Sequence, residues 1–282
     1  MNGVLIAVLF LLVLGLLLGL VIGVIARFFA LKTDPRVEQV EDMLPQANCG
    51  ACGYAGCAEF AKALVHGEAT PDMCPVSSSE EARAIADALG VSLTERVEKV
   101  AVVRCGGDNR LSSWGAGYNG VLDCRSANLI GGGVKECSYG CLGLGSCARA
   151  CPFGAIEITP HGLAVVHPDI CTGCGKCVPA CPRNLIELVP RSAPIHNLCN
   201  NPQKGAVTKK FCKVSCIGCA KCVKNAEKGR MYMDGALARV NYDDPPDAAL
   251  AEVCPTKCLQ PSLSLKNTVP ALQDKEEEAV HA

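Results

Sequence analysis

The chain has 282 residues, of which 27 are basic and 28 acidic, for a formal net charge of -1. A chain so balanced lacks the concentrated basic face of a nucleic-acid binder, so no nucleic-acid partner is expected. Its 21 cysteines outnumber 6 Phe, 5 Tyr and 1 Trp together; the odd count and close spacing exclude a disulfide framework and point to thiolates on metal.

Residues 4–26 are all apolar or glycine. As a helix this run reaches about 34 Å, enough to cross a bilayer. Met1 and Asn2 lead straight into it without a basic n-region, so a membrane anchor over 1–27 is expected rather than a cleaved signal. The first basic side chains, Arg27 and Lys32, follow the run. The positive-inside rule therefore predicts a single-pass protein of the inner (cytoplasmic) membrane, its C-terminal domains on the cytoplasmic side. Gly15, Gly19 and Gly23 recur at every fourth residue, a stripe that admits a partner transmembrane helix.

A polar linker, 28–42, leads into a small domain over 43–92. Here NCGACGYAGC and a distant MCP place Cys49, Cys52, Cys57 and Cys74 as four convergent thiolates. Glycines 50, 53 and 56 let the backbone wrap an inorganic core and aim amides at its sulfurs. The spacing predicts a helix over 58–66, stopped by Gly67. Four cysteines also satisfy zinc, but the motifs that follow favour a 4Fe-4S cluster.

In the next segment, 93–190, CTGCGKCVPACP is the CxxCxxCxxxCP run of two-cluster ferredoxins, whose fourth cysteine crosses to the other cluster. Its partner run, CSYGCLGLGSCARACP, has Leu144 where a second ligand is expected, and Cys137 is read as the substitute. Cys171, Cys174, Cys177 and Cys151 are thus assigned to one cluster, and Cys137, Cys141, Cys147 and Cys181 to the other. Between the runs, AIEITPHGLAVVHPD alternates around His161 and Gly162 as a small hairpin.

Residues 191–265 read as a degenerate second copy. Cys199, Cys212 and Cys216 repeat the spacing of Cys124, Cys137 and Cys141. Cys216, Cys219 and Cys222 form a complete CxxCxxC, but Ala226 stands at the crossing position, and AEVCPTKC retains only Cys254 of the partner run. The crossing rule gives Cys254 to the cluster of Cys216, Cys219 and Cys222. Four 4Fe-4S clusters are expected, or three if this repeat holds none. Cys105, Cys124, Cys199, Cys212 and Cys258 are read as structural, with Cys105 and Cys124 open to a role at a further site. The tail, 266–282, has the composition of a disordered segment. The fold class expected is α+β: one N-terminal transmembrane helix, a small 4Fe-4S domain and tandem ferredoxin-like βαββαβ units.

The whole series resembles the RnfB subunit of the Rnf complex, in its longer, multi-ferredoxin form. The resemblance rests on the N-terminal span, NCGACGYAGC with MCP, VVRCGG, GGGVKECSYGCLGLGSCARACPFGAI and CTGCGKCVPACPRNLIELVP. It implies a subunit of an ion-translocating ferredoxin:NAD+ oxidoreductase that takes electrons from reduced ferredoxin and relays them to partner subunits, including transmembrane ones. No side chain here is expected to be catalytic. A polyferredoxin subunit of another membrane dehydrogenase or hydrogenase, or a membrane-tethered zinc scaffold, are the competing readings.

Overall fold

The computed structural model describes residues 2–28, 34–93 and 96–262; the tail over 266–282 lies outside the described residues. Helix α1, Asn2–Phe28, is unbroken, because its Leu, Ile and Val side chains carry no competing polar groups. Its stretch Leu5–Ile25 has mean hydropathy 3.3, buries nothing against the described residues, and is long and apolar enough to cross a membrane.

The expected linker contains a helix instead. Asp34 accepts from the Arg36 amide, Pro35 takes the first helical position, and α2 runs Pro35–Asp42. Val37 and Val40 share a face and pack with Phe60 and Leu64 of α3, Cys57–Val65, and Ile85 of α4, Ser79–Leu89. Burying Phe60 contributes about 2 kcal/mol to this small core. Helix α4 opens on a reciprocal Ser78–Glu81 capping box and closes on Gly90 in the left-handed region.

Two units with the same order follow. In the first, β1 (Lys99–Val103) pairs antiparallel with β4 (Ile186–Pro190), and β2 (Ile156–Ile158) with β3 (Ala164–Val166). Helices α5 (Cys124–Leu129) and α6 (Ser146–Arg149) precede β2, and α7 (Cys177–Ala180) precedes β4. The β2–β3 hairpin turns at Gly162, as its alternation predicts. In the second unit β5 (Ile195–Asn197) pairs with β8 (Leu259–Pro261), and β6 (Met231–Asp234) with β7 (Leu237–Val240). Helices α8 (Gly205–Phe211) and α9 (Lys221–Asn225) precede β6. Each unit has its own core, and Tyr242 packs against both.

Candidate iron-sulfur sites

The backbone arranges cysteines around cavities. Cys151, Cys171, Cys174 and Cys177 line one with about 300 Å³ of free space, floored by Ala101 and Leu188. The Ala101 amide donates to Cys171 Sγ at 3.4 Å and the Ala155 amide to Cys151 Sγ at 3.3 Å. Amides aimed at sulfur are the donors that stabilise thiolate charge on a cluster. Gly173 has φ +70, and any side chain there would run into the Lys99 carbonyl, so the ligand loop lies hard against β1.

The second cavity, with about 350 Å³ of free space, is lined by Cys141, Cys147 and Cys181, but its fourth cysteine is Cys124. The expected fourth ligand, Cys137, is not in its lining. Local bonding explains the exchange. Asp123 caps α5, and the Ser146 hydroxyl at the start of α6 donates to Asp123 Oδ1 while accepting from the Cys124 amide, both at 2.8 Å. The Ser126 amide holds the Asp123 carboxyl down at about 2, with Ser146 adding to the effect. Two helix starts are thereby tied together, and Cys124 is brought beside Cys147. Arg183, buried in the wall of this cavity, fixes the segment that carries Cys137: its guanidinium donates to the carbonyls of Gly132, Cys137 and Gly140 and to Asn128 Oδ1.

A third cavity, with about 360 Å³ of free space, brings together Cys216, Cys219, Cys222 and Cys254. Cys258 lines it too, with its Sγ 3.5 Å from that of Cys254. The Cys258 thiol hydrogen-bonds to Cys216 and Cys254, which lowers both, to about 6 and about 5. Elsewhere burial dominates and pushes Cys141 up to about 11 and Cys147 and Cys177 up to about 12. Such thiols are neutral until a cation replaces the proton, so metal loading here releases protons.

In the N-terminal domain Cys74 is part of the core, Cys52 and Cys57 pack on it, and Cys49 lies in the same loop. Asn48 shapes that loop: its backbone is left-handed, and its side-chain oxygen accepts from the Cys57 amide at 2.8 Å, at the start of α3. A cleft lined by Ala51 and Met73 on one side and Cys171 and Cys174 on the other joins this domain to the first unit. Four remaining cysteines, Cys105, Cys137, Cys199 and Cys212, line a further cavity, which sequence spacing did not show.

Comparison with known proteins accords with this arrangement. Residues 44–76 match a family model described as "Putative Fe-S cluster", and residues 136–185 match "4Fe-4S dicluster domain". The latter begins beyond Cys124. The chain is 39% identical over 248 residues to the B subunit of the ion-translocating oxidoreductase complex of Methanosarcina acetivorans, covering 88% of this chain and 94% of that one. It is also 39% identical to the B subunit of the Na(+)-translocating ferredoxin:NAD(+) oxidoreductase complex of Acetobacterium woodii, covering 92% and 78%. For the corresponding protein of the proton-translocating complex of Clostridium ljungdahlii the identity is 39%, over 77% and 76%. With such identity over nearly its whole length, the chain belongs to the RnfB family, the B subunits of ion-translocating oxidoreductase complexes.

Proposed function

We propose that this chain is the membrane-anchored electron relay of an ion-translocating ferredoxin:NAD+ oxidoreductase, taking electrons from reduced ferredoxin and delivering them to partner subunits. The observation that carries the reading is the series of neighbouring sites, each with four cysteines. Cys49, Cys52, Cys57 and Cys74 would hold one 4Fe-4S cluster, and Cys151, Cys171, Cys174 and Cys177 the next. Cys124, Cys141, Cys147 and Cys181 would hold a third, and Cys216, Cys219, Cys222 and Cys254 a fourth. In this reading both units are ferredoxin-like, the second having kept one cluster of its original pair.

The sites fit such a group. Among the described residues no three His, Cys, Asp or Glu side chains are set to hold a single metal ion, whereas sulfurs do surround cavities into which backbone amides donate. Bound clusters supply one-electron redox chemistry at low potential. The protein's part is to exclude water with Val103, Leu142, Ile186 and Leu188, to hold the sulfurs by the amide donors, and to keep successive sites close. Helix α1 would fix the relay on the cytoplasmic face, with Gly15, Gly19 and Gly23 set against a partner helix.

The test is anaerobic mixing of the detergent-solubilised full chain with reduced ferredoxin, followed by cluster absorbance and electron paramagnetic resonance. Bleaching within the mixing experiment, with acid-labile sulfide equal to iron, is expected. Zinc without sulfide, or clusters that ferredoxin leaves oxidised, would overturn the reading. Cys124→Ser should remove about four irons per chain.

A further inference from the structure

Resting on that reading, the geometry points to a fifth 4Fe-4S cluster, held by Cys105, Cys137, Cys199 and Cys212 and placed between the two units. These four cysteines come from four separate segments: the end of β1, the loop before Cys141, the end of β5 and the end of α8. All four line one cavity. Three cavities of the same units are each lined by at least four cysteines in the same way. Four cysteines converging from separate segments on one cavity repeat the arrangement of those sites, which makes this one a cluster cradle as well.

The wall and the layer behind it suit an anion. The Cys141 amide donates to Cys105 Sγ at 3.3 Å, and the buried Asn201 side chain donates to Cys137 Sγ at 3.5 Å. Behind the wall, Lys135, 3% exposed, donates to the carbonyl of the lining residue Gly107 at 2.6 Å. Arg183, 8% exposed and in the wall of the neighbouring Cys124 cavity, holds the carbonyls of the lining residues Cys137 and Gly140 at 2.8 and 2.6 Å. Two cations seldom stay buried without an anion nearby, and a cluster on four thiolates carries net negative charge.

The position completes a path. Cys105 accepts from the amide of Cys141, which lines the neighbouring cavity of the first unit. On the far side Thr208, in the wall of this cavity, donates to the carbonyl of Cys216, which lines the cavity of the second unit. Electron transfer weakens steeply with distance, so a cluster here gives the second unit a near neighbour in the first. Five sets of four then account for every cysteine except Cys258.

The proposal is tested by iron, acid-labile sulfide and zinc analysis of the anaerobically purified full chain, wild type beside Cys105→Ser/Cys212→Ser. About twenty irons and equal sulfide are expected in the wild type, a total that sixteen ligand cysteines cannot reach. The double variant should lose about four of each and one component of the reduced paramagnetic spectrum. A second variant, Gly107→Ala, places a methyl carbon 2.8 Å from Cys212 Sγ and should deplete the same component with all cysteines kept. Equal iron and sulfide in all three proteins, or zinc in place of the lost iron, would overturn the fifth cluster. Absence of sulfide from the wild type would instead overturn the relay reading itself.

Discussion

His196 makes the second unit pH-sensitive. It is 2% exposed on β5, with Nδ1 3.1 Å from the Tyr242 hydroxyl and Nε2 2.7 Å from the Ser262 hydroxyl. Burial lowers its pKa from 6.5 to about 4, so the folded state holds it neutral. Between those two values the unfolded chain binds the proton and the folded chain does not, so stability is complete above pH 6.5 and falls as pH falls. The full loss, reached below pH 4, is about 3 kcal/mol, and about 2 kcal/mol is already gone at pH 5. Amide hydrogen exchange reads this locally. The Leu198 amide, bonded to the Cys258 carbonyl, and the Ser262 amide, bonded to the Pro194 carbonyl, close the two ends of the β5–β8 pair. Their opening, corrected for the intrinsic exchange rate, should rise about 30-fold from pH 8 to pH 5. His196→Gln keeps hydrogen-bonding capacity but does not titrate. It therefore separates His196 from Arg104 and Glu187, which face Tyr242. A flat wild-type profile, or one equally steep in His196→Gln, would refute the reasoning.

Two further outcomes follow from the site walls. Gly143 lies between two proposed ligands at φ +71, and a Cβ there would overlap the Gly162 backbone. Gly143→Ala should therefore cost on the order of 3 kcal/mol and deplete iron at the Cys124 site first; full iron and an unchanged melting temperature would refute that. Arg183→Met removes the donors to three backbone carbonyls and Asn128, a loss on the order of 3 kcal/mol. Its signature is faster proteolysis over residues 130–140, and unchanged cleavage there would show the clamp to be dispensable.

Hydropathy alone marks α1 as a candidate membrane span, because Leu5–Ile25 is long and apolar enough to cross a bilayer. The CxxC spacings at 49–57, 171–177 and 216–222 likewise mark their sites, since ligands within one loop are placed by local backbone geometry. Alternation around Gly162 is enough for the hairpin. The helix at 35–42 was legible in Asp34 and Pro35, an N-cap followed by a helical first position, but its burial against α3 was not. The crossing rule also pairs the distant Cys151 and Cys254 with their triplets, as the cavities do; what only the tertiary structure decided is where Cys124 and Cys137 go. Cys124 lines the first unit's second cavity because Ser146 and Asp123 tie α5 to α6, while Cys137, its carbonyl bonded to Arg183, lines the neighbouring cavity. The same holds for Cys105, Cys137, Cys199 and Cys212: they share no motif, and they meet only because segments of both units line one cavity. Sequence spacing records cysteines that are neighbours along the chain or that a known run pairs across it. Cys124 joins its set through side-chain hydrogen bonds between elements, which spacing does not encode.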